Sequence, residues 1–260
     1  MKTVNSGRIT KWIIGSAVFA ALPLSAIASF YAEDSFLVGP GHYNGAIPLI
    51  GQSPRLPGFD GPWMGAVVGE AVVDPKGLTY PSLRSSGGAL AFVSGNNRYG
   101  RLLTTPVTDR TQGVFYLSFL MEISVVDGNY QALELHDGGF DDKEDRNFRL
   151  GNGGGANGFR DDIFGFRVGN DANEDLGFAD SAPNLFVVKF DLTDKPGGDV
   201  VTVFRNPTDF RDERRNREVV RLDGQDIRFD RISFAMFTDT PVKFDELRIG
   251  SSFQAVLPQR

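Results

Sequence analysis

"LFVVKFDLTDKPGGDVVTVFRNP", Leu185–Pro207, is the stretch on which the fold turns. In its first arm Phe186, Val188, Phe190 and Leu192 fall on one side, with Val187, Lys189 and Asp191 opposite. An apolar period of two over this length marks a β-strand with one buried face. Pro196 fixes φ, and Gly197-Gly198 supply the positive φ of a turn. The second arm, "DVVTVFRNP", is again β-branched and aromatic, so the stretch reads as an antiparallel hairpin. Upstream, "VFYLSFLMEIS" repeats the pattern. Phe115, Leu117, Phe119, Met121 and Ile123 share one face; Val114, Tyr116, Ser118, Leu120 and Glu122 share the other.

Working outward, the chain is a string of such runs, punctuated by Gly, Asn, Asp and Pro. Among them are "GALAFV", "RLLTTPV", "YQALELHD", "IFGFRVG", "IRFDRISFAMF" and "VKFDELRIG". Many short strand patterns without an amphipathic helix predict two packed antiparallel sheets, an all-β sandwich. Composition agrees: 22 Phe and 31 Gly in 260 residues suit a pleated, turn-rich chain with a large core. A formal charge of −6 argues against nucleic acid as the main partner, because phosphate binding needs a basic surface. The absence of Cys removes disulfides, thiol catalysis and cysteine metal sites.

The first residues read as a leader. Lys2, Arg8 and Lys11 precede an apolar run from Trp12 to Leu24, and Ala26-Ile27-Ala28 offers the small residues a signal peptidase needs. Residues 1–28 are expected to be a signal peptide cleaved after Ala28, the alternative being an uncleaved anchor. Residues 29–260 are expected to form one domain, exported and soluble after cleavage, with no change of composition to mark a second.

A set of stretches then occurs in order: "EDSF" at Glu33–Phe36, "GFDGPW" ending at Trp63, "GVFYLSFLM" at Gly113–Met121, the hairpin, and "FDELRIGSSFQAVLP" at Phe244–Pro258. This set resembles the exported bacterial LamG-like, concanavalin A-like jelly-roll proteins, many of which carry a PEP-CTERM sorting tail. The sequence finishes "VLPQR", without a Pro-Glu-Pro motif, apolar span or basic end, so sorting by that route is not implied. The resemblance implies a jelly roll in which the first and last strands lie together, "DSF" beside "FDELRIG". It leaves function open, since such folds host lectins, glycosidases and scaffolds. Strict alternation in "FDELRIG" puts Phe244, Glu246 and Arg248 on one side and Asp245, Leu247 and Ile249 on the other. Mixed faces of this kind predict an edge, a rim or a bulge whose charges are paired, Arg248 with Glu246.

Three chemistries have candidate residues. Glycoside hydrolysis needs two carboxylates, and laminarinase-type enzymes carry them as Glu, one residue, Asp, two residues, Glu. The nearest match is Glu134, His136 and Asp137, which lacks the second Glu. Glu134 and His136 are therefore a candidate acid/base pair set against a polar solvent face. Calcium is suggested by Asp171, Asn173 and Asp175, whose alternation suits a hard cation in a loop. Gly177 comes one position late for a helix-flanked calcium loop, and Ala182 stands where its Glu would be. Asp137, Asp141, Asp142, Glu144 and Asp145 form a second acidic loop; the reading set against calcium for both loops is a solvated acidic loop. Carbohydrate contact would use Tyr99, Tyr116, Tyr130 and Phe204, assigned to exposed faces, beside Glu134 and His136. Trp63 reads as an end plug, "GNGGGANG" (Gly151–Gly158) as a hairpin tip and "RDERRNRE" (Arg211–Glu218) as a solvated loop. Only His42 and His136 exist, too few for a multi-histidine metal site. The reading is an exported, non-enzymatic β-sandwich that binds carbohydrate or matrix polymer at a cell surface. The alternatives are a glycoside hydrolase or polysaccharide lyase of the same fold and a purely structural surface protein.

Overall fold

A computed structural model describes residues 32–65, 70–140, 146–154, 159–169, 173–237 and 240–260. The leader assignment at residues 1–28 lies outside them. The described chain carries fifteen strands. These are β1 (Ala32–Asp34), β2 (Phe59–Gly65), β3 (Glu70–Asp74), β4 (Ala89–Ser94), β5 (Asn96–Val107), β6 (Gly113–Ile123), β7 (Tyr130–His136) and β8 (Arg146–Asn152). They continue with β9 (Ile163–Val168), β10 (Glu174–Phe178), β11 (Asn184–Leu192), β12 (Asp199–Arg205), β13 (Val220–Gln225), β14 (Phe229–Phe237) and β15 (Val242–Gly250). One sheet runs β13-β12-β11-β6-β15-β4-β3, with β1 also on β15; the other runs β10-β9-β8-β7-β14-β5-β2. The two are antiparallel layers of a β-sandwich of the concanavalin A-like jelly-roll type.

Alternation sets the inner faces as expected. Phe115, Leu117, Phe119, Met121 and Ile123 of β6 and Phe186, Val188, Phe190 and Leu192 of β11 all join the central core. Register places Phe186 opposite Phe119 and Phe190 opposite Phe115. Rings then meet across the layers: Phe234 with Phe244 at 4.6 Å, Phe164 with Phe186 at 5.2 Å and Phe148 with Phe190 at 5.6 Å between centroids. Each such buried ring contributes roughly 1.5–3 kcal/mol, which is the physical use of a phenylalanine-rich chain. The hairpin β11–β12 forms as read, with Gly197, but not Gly198, taking positive φ (65°) at its turn.

The terminal strands pair as the resemblance implied, Glu33 opposite Arg248 and Asp34 opposite Leu247. The last strand is no edge, however: β15 lies between β6 and β4. Its mixed faces are resolved by a bulge. Its register on β6 slips between Asp245 and Arg248, and Glu246 sits at φ 53°. The extra residue turns Phe244, Leu247 and Ile249 all toward the core. Asp245 instead accepts from the Leu78 amide at 2.8 Å, and Glu246 accepts from the Ser86 amide and pairs with Arg248.

The first sheet's outer face, which carries Tyr116 and Phe204, is covered, against the expectation that these two aromatics are exposed. Phe253, Val256 and Leu257 fold back over it, together with Leu78, Leu83 and Phe210. They bury Tyr116, Leu120, Leu185, Val187 and Phe204, while the Ser118 hydroxyl donates to the Val256 carbonyl at 2.8 Å. Tyr116 and Phe204 are thus not exposed platforms, and the Tyr116 hydroxyl donates to Glu213 at 2.5 Å. Tyr99 is also buried, packed on Phe92 in the core. Burying both faces of a central strand removes more apolar surface from water than a one-sided sheet allows.

Candidate functional site

Alternation along β7 sends Leu133 and Leu135 to the core and leaves Tyr130, Glu134 and His136 on the outer face of the second sheet. The structure does bring these three predicted residues together, but under a roof rather than in a groove. Glu134 is fully buried and ringed by donors. Arg98 Nε lies 2.5 Å and Arg146 Nη1 2.8 Å from its oxygens; the Tyr130 hydroxyl donates at 2.7 Å, and Ser233 Oγ at 3.3 Å. Phe140 closes the cluster from above. Its carbonyl accepts from Arg98 at 2.7 Å, its ring lies over Arg231, and it occupies the space a side chain on Gly100 would need. Tyr130 is sandwiched between Phe159 and Phe237.

The chemistry of this cluster is that of a held ion pair. Burial by itself raises a carboxyl pKa. Around Glu134 the His136 hydrogen bond and the Arg98, His136 and Arg146 charges outweigh it and hold the group well below the usual carboxylate range. A carboxylate so held has no proton to donate near neutral pH. Ser233, His136 and Glu134 also do not make a relay. His136 Nε2 meets both Ser233 Oγ, at 2.9 Å, and Glu134 Oε2, at 3.1 Å, whereas Nδ1 has no partner among the described residues. A nucleophile–base–acid relay needs the two ring nitrogens in separate roles.

An open site lies elsewhere, where the edge strands of the two sheets, β10 and β13, touch. A cleft of about 680 Å³ runs along this seam, lined by Asp175, Arg205, Asn206, Thr208, Asn216 and Arg217 among others. Its floor and wall are built from saturated polar groups. Arg205 donates to Asn184 Oδ1 (2.9 Å), to the Leu176 and Phe178 carbonyls (3.2 and 2.7 Å) and to Asp180 (3.0 Å). Its guanidinium lies 4.7 Å over the Phe164 ring. Asn216 Oδ1 accepts from the Thr208 and Asp209 amides, and its Nδ2 donates to the Asp209 and Asp212 carbonyls. The segment 207–216 is thereby folded into a fixed wall around the 3-10 turn Glu213–Arg215. Next to the lining residue Gly177 stands Phe178, 75% exposed, on the strand that forms the other wall.

The calcium residues divide. Asp171 lies outside the described residues. Asp175 accepts from the Gly177 amide at 2.6 Å and lies 3.8 Å from Arg160. Of the acidic loop, Asp137 pairs with Arg228 at 3.2 Å, and Asp141, Asp142, Glu144 and Asp145 lie outside the described residues. No three His, Asp or Glu side chains converge among the described residues. Trp63 is buried as read, donating to the Tyr43 hydroxyl at 2.6 Å, which in turn donates to Asp34. The cleft residues Arg205, Asn206, Asn216 and Arg217 were missed by the sequence reading. Their one signal is Asn216 inside "RDERRNRE", an amide able to lock a turn in a run of charges otherwise taken as solvated.

No family model and no curated protein matches the chain. Solved structures do. The globular domain of T. cruzi calreticulin aligns at 10% identity and a TM-score of 0.50, over 73% of this chain and 84% of that one. The carbohydrate recognition domain of Emp46p, in metal-free form, aligns at 10% identity and a TM-score of 0.45, over 73% of this chain and 88% of that one. The binding domain of botulinum neurotoxin DC in complex with SialylT aligns at 9% identity and a TM-score of 0.46, over 86% of this chain. The chain spans about half the length of the neurotoxin binding domains it matches, 48% in that case. At such identities these are likenesses of fold.

Proposed function

We propose that this chain is an exported, non-catalytic β-sandwich that binds carbohydrate in the seam cleft between β10 and the β12–β13 connection. The observation that carries the reading is the cleft itself: an open groove walled by a hydrogen-bonded segment and lined by the exposed side chains of Thr208, Arg215 and Arg217. A saccharide presents polar groups all round its ring, and the exposed Thr208, Arg215 and Arg217 side chains of this groove are placed to meet some of them. A wall held by its own amide network loses little entropy on binding. The electrostatics of Glu134 argue against the hydrolase alternative at β7, because its carboxylate is ionised and already bonded on both oxygens. Export by a cleaved leader and a LamG-like affiliation belong to the same reading.

The test is retention on a panel of immobilised polysaccharides. The full chain is expected to bind at least one of them. Thr208→Trp, which fills the exposed mouth of the cleft, is expected to abolish retention with the melting temperature unchanged. Failure to bind any polymer, or binding indifferent to Thr208→Trp, would count against the reading.

A further inference from the structure

Resting on the seam cleft as the carbohydrate site, we infer that its ligand is an anionic saccharide, one bearing a uronate carboxylate or a sulfate ester. The groups lining the cleft divide into those already engaged within the fold and those with bonding capacity to spare. Arg205 has its guanidinium held by four acceptors. Asn206 donates to Asn184 Oδ1 at 2.8 Å and accepts from the Leu185 amide at 2.9 Å. Asn216 has both its oxygen and its nitrogen in doubly bonded use. Asp175 accepts from Gly177 and faces Arg160. Arg205, Asn206 and Asn216 thus shape the cleft and have few bonds left for a neutral hydroxyl, while Asp175 is a half-exposed carboxylate whose charge is offset by Arg160 at 3.8 Å.

The exposed cationic groups of the lining are two arginines, Arg215 and Arg217. Arg217 is exposed on the cleft wall and forms no ion pair among the described residues. Arg215 also lines the cleft; it is mostly exposed and only loosely placed against Asp209 and Asp212, at 3.5 and 3.8 Å. Thr208, exposed on the same wall, adds a hydroxyl-bearing side chain to the lining. Two guanidinium forks on a prebuilt wall fit a planar carboxylate or a sulfate through paired N–H···O bonds. The setting sharpens the point. The whole chain is acidic, with a formal charge of −6, so a polyanion is repelled by its average surface and must be drawn by a local feature. At physiological salt that attraction reaches about 8 Å, the scale of one sugar ring and not of the whole protein.

Calorimetry on the full chain tests this, with alginate as the carboxylate probe, carrageenan as the sulfate probe, and neutral laminarin and single-stranded DNA as controls. Alginate or carrageenan is expected to bind at least about tenfold more tightly than laminarin, with the advantage shrinking as salt rises toward about 1 M. Which of the two wins distinguishes uronate from sulfate. Arg217→Gln is expected to weaken the anionic polymer by about tenfold and to narrow its advantage over laminarin, with the melting temperature in place. Laminarin binding as tightly as the anionic polymers, no effect of Arg217→Gln, or DNA binding as tightly as the polysaccharides would each overturn the inference. Binding by no polysaccharide, neutral or anionic, would instead remove the carbohydrate reading beneath it.

Discussion

Glu134 on β7 and Asp245 on β15 are both completely buried carboxylates, yet they sit in opposite electrostatic states. Arg98, Arg146 and His136 surround Glu134 and keep it ionised. Asp245 has Glu246 as its neighbour, and burial together with that like charge pushes its pKa up to about 8 against the help of two backbone amides. Burial alone therefore says little about a carboxylate's charge; what shares the cavity with it decides. The two also do different work in the fold. Glu134 gathers side chains from β5, β8 and β14 over one sheet face. Asp245 and Glu246 stitch the segment containing Leu78 and Ser86 onto the bulge of β15.

The contrast breaks hardest at Glu134. Glu134→Ala would leave two largely buried guanidiniums without their anion, so a loss of about 3–5 kcal/mol is expected in urea unfolding. A loss below about 1 kcal/mol would mean that the cluster is solvated rather than roofed.

A smaller effect comes from pH, and the two acids give it opposite signs. Asp34, with its pKa raised to about 7 chiefly by burial, behaves like Asp245. In both, the folded state holds a proton that the unfolded chain, with an ordinary value of 3.8, has already released at neutral pH. Their stabilisation is complete below that ordinary value and is lost as pH rises through about 7 and about 8. Glu134 contributes above its ordinary value of 4.5 and fails only as pH falls through its depressed folded value. Between about pH 5 and pH 9 the unfolding free energy is therefore expected to fall, on the order of a few kcal/mol, and Asp245→Asn should flatten the slope. A stability that rises over that range would show that these groups are ionised in the fold.

The smallest effect concerns the exposed acids. Asp175 is already bonded to Gly177 and faces Arg160, so millimolar calcium and chelator are expected to give the same melting temperature. A calcium-dependent rise would place a cation among the loop carboxylates and make them a third electrostatic class.

Local pattern made half of this legible. The alternation at Phe115–Ile123 and Phe186–Leu192 could be read because one strand's period is written in contiguous residues. The bulge at Glu246 was visible only as a conflict, since Phe244 and Leu247 cannot share a face in a regular strand. Tyr116 and Phe204 were misread because their cover, Phe253 and Leu257, comes from a distant part of the chain. The cleft was invisible for the same reason: Asp175 and Arg217 are far apart in sequence and meet only where two sheet edges converge.

The order of residues alone determined that this chain would fold as stacked β layers with a phenylalanine core, because side-chain alternation is a property of each strand by itself. Which acids are charged, which aromatics see water and where a ligand finds room were decided by tertiary structure. Dielectric surroundings, cover and concavity arise only when segments remote in sequence are brought within a few ångströms of one another.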